Sequence, residues 1–469
     1  MSEVQSGTPY TENNANPGST PLDRSNFGRH RFIPQSSDAT IDRPLFTLSR
    51  NHTGFCESHP ISVTNPVGGI IMQAVSPRRE LFEAVQTVGR AVSGRTSLPI
   101  LSHVLARPVG DGRLRLMATD LEMWLECSIG SRISFGFDDG DQPGFTFPAK
   151  LFTEMLGAFA ESDVVLDRPD VKAKTSVRCG RSNYELLGLS PDEFPAPPEV
   201  DHIASFTIAG GLLKSLIKEV NFAVSTDETR VILTGVLLKF DGTAIKLVAT
   251  DTHRLAVTEG NVASGDGAGN AVVPARAMNE VLRLAGDDDA VQVVLANGQA
   301  RFEFRKRADD KDTDAATVTG LDGRFRVDTT TMITQLIDGQ FPNYERVIPQ
   351  NYDRKLTIDR SDFIASVKRV AIVAKENAQR VVLETQGDQL ALTAESGTIG
   401  TGRDEIEVAR EGADIAIAFN AKYLADALNA IDAEGVALEM TEPLRPGVIR
   451  PVGGNRPAYL CVLMPMQVI

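Results

Sequence analysis

The chain has little of what most catalytic or secreted proteins depend on. Its 469 residues include one tryptophan, four cysteines and six histidines. The cysteines (Cys56, Cys127, Cys179, Cys461) lie far apart and form no C-x-x-C pair, which excludes the usual zinc and disulfide frameworks and fits a reducing cytoplasm. No apolar run approaches the roughly 18 residues that a membrane-spanning helix needs. The N-terminus lacks the basic start and apolar stretch of a secretory signal. There is no G-x-S-x-G, no P-loop and no H-E-x-x-H. Three of the histidines (His30, His52, His59) fall in a polar leading segment. Asp251 and His253 stand two apart, but no serine or cysteine can be assigned to them as a nucleophile. The expectation is a protein that is not an enzyme and that needs neither cofactor nor metal.

Apolar residues make up 42% of the chain and charged residues 23%, as in an ordinary globular protein. The length suggests two to four domains. Residues 1–71 are rich in Ser, Asn, Pro and Gly and keep no period of 2 or 3.6, so they bury too little apolar surface to offset ordering. They are expected to be a disordered extension, or to be absent if translation begins at Met72. Beyond Met72, short alternating strands such as Arg113–Met117, Ile245–Val248 and Gln389–Thr393 mix with a few helical stretches, without strict β-α-β order. That pattern favours an α+β architecture of antiparallel sheets with helices on one face.

The chain also repeats itself. Strand ends read Met117-Ala-Thr-Asp120, Val248-Ala-Thr-Asp251 and Leu392-Thr-Ala-Glu395. Helix starts read Phe147-Pro-Ala-Lys150, Val273-Pro-Ala-Arg276 and Phe419-Asn-Ala-Lys422. Glu193-Phe-Pro195 and Gln340-Phe-Pro342 close two of the units. Three copies of one domain follow, over 72–198, 199–347 and 348–469. Each should hold two helices: 78–92, 210–224 and 361–375 of one kind, and 149–160, 275–285 and 420–431 of the other. Apolar residues recur at helical spacing, as at Leu81, Val85, Val88 and Val92.

The net charge of −14 argues against a nucleic-acid partner until it is located. The first three helices carry +1, +1 and +2 and the second three 0, +1 and 0, together +5. The acid concentrates elsewhere, as in Asp138-Asp139 and Asp287-Asp-Asp289. If the six helices face a common interior, that interior is positive and the exterior negative. Weak phosphate contacts from such a lining would hold a duplex without reading its sequence.

Val248-Ala-Thr-Asp-Thr-His-Arg-Leu-Ala256 resembles the signature of the bacterial DNA polymerase III beta subunit, the sliding-clamp family. Thr96-Ser-Leu-Pro-Ile-Leu101, Ala118-Thr-Asp-Leu-Glu-Met123, Gly339–Pro349 and Tyr459–Met466 resemble further motifs of the same family, in order, over about 72–469. The resemblance implies three clamp domains with sheets outside and helices inside, closed into a ring by a head-to-tail homodimer around double-stranded DNA. The implied partners are the replicative polymerase alpha subunit, the clamp loader, and repair and translesion polymerases. The implied location is the cytoplasm, on the nucleoid.

The resemblance also implies a peptide groove between the second and third domains. Its first pocket would use Leu233, Thr250, His253, Arg254 and Leu255 with Pro342, Arg346 and Val347. Val462, Met464, Pro465 and Met466 would line it from the last strand, and Asn420, Tyr423, Leu444 and Pro446 would form its second part. Arg254, Arg346, Thr250 and His253 are expected to hold carbonyls or a glutamine amide. For DNA the resemblance points to Arg95, with Arg90, Arg230, Lys214 and Lys218 as further candidates. Arg230 could equally belong to the groove edge.

Several features depart from the family pattern. Thr252 stands where glycine is common, so that turn is expected to differ slightly, since threonine does not readily take positive φ. The chain ends Gln467-Val-Ile469 instead of Arg-Leu. Residues 306–326 are long and polar and are expected to form a flexible loop. The tail and the leading segment leave open an alternative, a paralogous clamp that is phage-borne or confers drug resistance.

Overall fold

A computed structural model describes residues 72–94, 96–110, 112–135, 144–168, 174–307, 317–320, 323–375, 377–454 and 458–468. The expected extension over 1–71 and the candidate Arg95 lie outside these residues.

Six α-helices occur among the described residues: α1 Arg78–Val88, α2 Ala149–Ala158, α3 Gly210–Val220, α4 Ala275–Leu284, α5 Arg360–Ala374 and α6 Ala421–Ala430. Each matches an expected helix, five of them a little shortened and α5 shifted by one residue. The last residues of two expected spans become 3-10 turns, Gly89–Ala91 and Asn221–Ala223. Pro148 and Pro274 precede α2 and α4 as cap residues, with φ of −56° and −53°. A proline there loses no helical hydrogen bond, because the first N–H groups of a helix have no partner within it. Asn420 holds that place before α6 and caps it by side chain, its Oδ1 accepting from the N–H of Lys422 at 2.9 Å and of Tyr423 at 3.2 Å.

Among the described residues all the strand pairings are antiparallel. The helices pack in pairs, α1 with α2, α3 with α4 and α5 with α6, against one face of the sheets. Alternation puts Leu114, Leu116 and Ala118 on that face in the first copy. Ile245, Leu247 and Ala249 take those places in the second copy, and Leu390, Leu392 and Ala394 in the third. This periodicity corrects the third strand marker by one residue. Thr393-Ala-Glu-Ser396, not Leu392-Thr-Ala-Glu395, corresponds to Met117-Ala-Thr-Asp120. Ser396 also does what Asp120 and Asp251 do. Its Oγ accepts from the N–H of Thr398 and Ile399, both at 3.3 Å. The Oδ1 of Asp120 accepts from Glu122 and Met123, and that of Asp251 from His253 and Arg254.

Two of the four sheets run through the boundaries between copies. In a ten-stranded sheet, Met123–Gly130 of the first copy pairs with Gly323–Gln335 of the second. In a nine-stranded sheet, Arg254–Asn261 of the second pairs with Leu460–Leu463 of the third. The expected loop over 306–326 is in part regular: one strand reaches Arg307, and Thr317–Gly320 pairs with Arg326 back to Gly323. The intervening residues lie outside the described set.

Close backbone approach fixes the start of α3. Gly210 N–H donates to the Asp289 carbonyl at 2.7 Å, and a Cβ on Gly210 would lie 2.0 Å from the Gly286 carbonyl oxygen. At Gly211 the nearest atom would be the Asp287 carbonyl oxygen at 3.1 Å. Gly210→Ala is expected to cost about 1–3 kcal/mol, the range for overpacking. Gly211→Ala should lose less, because alanine favours the helix. Urea midpoints of the two variants check this.

Candidate functional site

The signature turn at Asp251 is built from short polar side chains. Thr250 Oγ1 donates to the Arg254 carbonyl at 2.7 Å and accepts from Thr252 N–H at 3.2 Å. Thr252 adopts a φ of +78°, and Leu121, at the same place in the first copy, a φ of +76°. The expectation of a different turn at Thr252 is therefore corrected. The turn imposes positive φ on a β-branched residue, at a cost of about 1–3 kcal/mol, and the side-chain bonds from Thr250 and Asp251 hold it there.

Arg254 does not reach outward, as expected, to hold a carbonyl or an amide. Its guanidinium is buried, with Nε 3.0 Å from Asp251 Oδ2 and Nη1 2.6 Å from Asp426 Oδ2 on α6. It stacks over Tyr423 at 4.4 Å and Phe222 at 5.2 Å. Arg254 thus ties the second copy to the third and fixes the Tyr423 ring. His253 next to it is exposed, its ring 6.2 Å from that of Tyr423. Asp426 and Phe222 escape a reading of the sequence because nothing local marks them; their partner is far away in the chain.

The last residues run across the same junction. Met464 N–H donates to the His253 carbonyl at 2.9 Å, and Met466 N–H to the Ala418 carbonyl at 2.7 Å. Met464, Pro465 and Met466 are half-buried between these anchors. Leu255 and Val462 sit directly opposite each other and are buried in one apolar cluster with Leu237, Val248, Val448 and Tyr344. Leu233 and Thr250 are buried as well. They form floor, not exposed contact surface. Tyr344 anchors the short turn Tyr344–Val347, which leaves Arg346 and Val347 exposed beside exposed Pro342. Pro342 lines a cleft of about 590 Å³ with Phe341, Leu237 and Val272. Pro446 lines a smaller one of about 150 Å³ with Tyr352 and Val448. Leu444 is two-thirds exposed. Asn420 is the cap of α6, and its Nδ2 donates to the Ala378 carbonyl at 3.3 Å, so its amide is committed to the fold.

The expected DNA-facing cations divide. Lys218 is exposed on α3. Arg90, after α1, is partly exposed and lies 3.9 Å from Glu280 of α4. Lys214 is held by Asp287 at 2.6 Å, and that bond pulls the Asp287 carboxyl below its usual range. Arg230 is drawn to the signature turn: its Nε is 2.9 Å from Asp227 Oδ2 and its Nη1 donates to Thr252 Oγ1 at 3.1 Å. Among the described residues there is no cluster of His, Cys, Asp and Glu able to hold a metal ion, and no helix long and apolar enough to cross a membrane.

Three repeated domains, sheets continuous through their junctions and an apolar floor crossed by the last strand define a DNA-clamp fold. Family models agree. Those for the N-terminal, central and C-terminal domains of the DNA polymerase III beta subunit match residues 72–198, 207–343 and 345–467. The beta sliding clamp of Synechococcus elongatus is 31% identical over 405 residues, covering 84% of this chain and 99% of that protein. The beta sliding clamp of Synechocystis sp. is 30% identical over 423 residues, covering 85% and 100%. Solved structures include the DNA polymerase sliding clamp of Bacillus subtilis, with 25% identity and a TM-score of 0.74 over 85% of this chain and 100% of that one. The beta sliding clamp of C. crescentus has 28% identity and a TM-score of 0.72 over 85% and 99%. The chain belongs to the DNA polymerase III beta subunit family, the beta sliding clamps.

Lysine cannot replace Arg254, since one ammonium cannot bridge two carboxylates and stack on two rings. Arg254→Lys is expected to lower stability by about 2–4 kcal/mol, toward the range for breaking a buried pair. The loss should be smaller, but not absent, in an Asp426→Asn background, where Asp251 and both rings remain, and a double-mutant cycle by urea denaturation measures it.

Proposed function

We propose that this protein is a processivity clamp, not an enzyme: two copies close head to tail around duplex DNA and tether polymerases through the groove at the second junction. The domains are assigned to 72–198, 199–347 and 348–469.

The observation that carries the ring is the pair of unmatched sheet edges. At each junction the last strand of one domain pairs with the strand after the Asp turn of its neighbour, Met332 opposite Leu125 and Cys461 opposite Ala256. Two such strands remain at sheet edges: Ser182–Leu187 of the first domain and Gly400–Glu407 of the third. The register of the repeat matches Tyr184 to Met332 and Cys461, because Val177, Phe302 and Ile449 are their neighbours on the preceding strand. It matches Gly402 to Leu125 and Ala256. Tyr184, 47% exposed, would then face Gly402 of the partner subunit. Ile372 on α5, 64% exposed, occupies the place that Arg90 and Phe222 take at the internal junctions. An edge left open is an aggregation hazard that pairing removes, and a head-to-tail contact that closes gives a ring.

Within the ring, Lys218 and Arg90 would give weak, sequence-independent phosphate contacts. The groove would take a short peptide, with apolar side chains on the floor of Leu255, Val462 and Met464 and polar contacts from His253 and Arg346. The tether raises the local concentration of a replicative polymerase alpha subunit, a clamp loader, or a repair or translesion polymerase at the primer end. The cell compartment is the cytoplasm, on the nucleoid.

Two outcomes are expected. Ile372→Asp should halve the mass seen by analytical ultracentrifugation while leaving the circular dichroism spectrum unchanged; an intact dimer would sink the proposed interface. With a clamp loader and polymerase from the same source on primed circular DNA, the wild type should lengthen products, and removal of Met464–Ile469 should shorten them. Wild-type products no longer than those of polymerase alone would refute the tether.

A further inference from the structure

The first junction repeats the groove's layout with different chemistry. Leu101, Trp124 and Ile333 stand where Leu233, Leu255 and Val462 stand at the second, and Ile333 lies directly opposite Trp124 across the strand pair. All three are buried or nearly so. They point to the face away from the helices, since Met123, Leu125 and Met332 on either side belong to the helix-facing core. Exposed Leu98 and Leu121 lie beside this strip in the chain.

Next to the strip the same face is rich in arginine. Arg107 and Arg115 are directly opposite each other on adjacent strands, an arrangement that is destabilising unless an anion lies between or beside them. Arg301 pairs across with Ile333, and Arg305 lies further along that strand. Against these four cations the face offers Glu126, 3.0 Å from Arg115, Glu303, 3.0 Å from Arg305 and 3.3 Å from Arg301, and the Gln292 amide oxygen, which accepts from Arg305 at 2.7 Å. Arg107 also donates to the Pro191 carbonyl and lies 4.0 Å from Asp192. Burial raises the Glu126 pKa, with Arg115 opposing and Glu303 adding to the shift.

Four buried N–H groups on this face make no hydrogen bond: the Nε of Arg107, Arg115 and Arg301, and the indole Nε1 of Trp124, whose residue is nine-tenths buried. The Arg115 Nε is close to Glu126 as an ion pair but is not aimed at its oxygen. A buried donor without a partner costs about 1–3 kcal/mol. The face is therefore short of acceptors and of negative charge, beside an apolar strip.

We propose that this outer face at the first junction is a second docking site, and that it takes an acidic peptide segment of a partner protein. A bulky apolar residue would sit on Trp124 and Ile333, and neighbouring carboxylates would take up the remaining capacity of Arg107, Arg115 and Arg305. Charge complementarity sets the occupant's sign, and the apolar strip favours a peptide over a nucleic-acid backbone. Glu126 and Glu303, set among the arginines, would repel a continuous run of phosphates but leave room for a few well-placed carboxylates.

Trp124 is the only tryptophan in the chain, so its fluorescence reports this site without a label. The full protein is titrated with an acetylated peptide of Leu-Phe followed by a run of aspartates, and separately with a single-stranded oligonucleotide. The peptide should shift the Trp124 emission saturably. Arg115→Glu should weaken that binding roughly tenfold or more, as truncating interfacial charge pairs does, while Arg346→Ala at the other groove should leave it unchanged. Unaltered melting of Arg115→Glu excludes misfolding as the cause, and Arg305→Glu gives an independent second reading. No saturable shift, equal binding by the charge-reversed variants, loss with Arg346→Ala, or tighter binding of the oligonucleotide would each overturn the proposal.

Discussion

The structure depends on antiparallel strand pairing that does not stop where a domain stops. A sheet edge carries unpaired N–H and C=O groups in a row, and the strongest way to satisfy them is another strand. Here the ends of the second and third domains supply that strand to the domain before, at Met332 opposite Leu125 and at Cys461 opposite Ala256. The sheets run unbroken through the junctions, and the helices keep their places on one face. The same rule leaves Ser182–Leu187 and Gly400–Glu407 at sheet edges, and these are the strands that the proposed ring pairs between two copies.

The groove follows from this continuity. Because the last strand docks onto the second domain, Leu255 and Val462 share one apolar floor and the final residues cross from His253 to Ala418. Arg254 locks the two sides together through Asp251, Asp426 and the ring of Tyr423. Backing of this kind would keep the proposed peptide site from losing affinity to loop ordering. At the first junction Met123 takes the place of Arg254, and Arg276 on α4 instead pairs with Asp120. The two junctions thus share a backbone plan and differ in the side chains that fasten it.

Much of this is legible in the sequence. The repeated Thr-Asp turns, the proline-led helix starts and the apolar spacing of the helices are local signals, and each survives in the fold. The less legible parts are those that depend on distant partners. Arg254 reads as a ligand-binding arginine until Asp426, 172 residues away, is seen against it. Asn420 reads as a groove residue, and its role as the cap of α6 emerges only from the structure. The third turn reads one residue too early because Ser396 does the work of aspartate there, and only the alternation of Leu390, Leu392 and Ala394 fixes the register. Thr252 shows the opposite limit: a residue with poor intrinsic preference for positive φ is held there by its neighbours' side chains.

The central claim is that the two open edges pair to enclose DNA. Its most direct test joins them covalently. In the proposed register Glu185 lies opposite Thr401 of the partner subunit, so Glu185→Cys combined with Thr401→Cys should form disulfides that link two copies into a closed ring, where neither single variant does. Loaded on nicked circular plasmid and then oxidised, this ring should stay on the DNA through a high-salt wash and leave once the plasmid is cut. Failure of the double variant to crosslink, or equal retention on circular and linear DNA, would contradict the account.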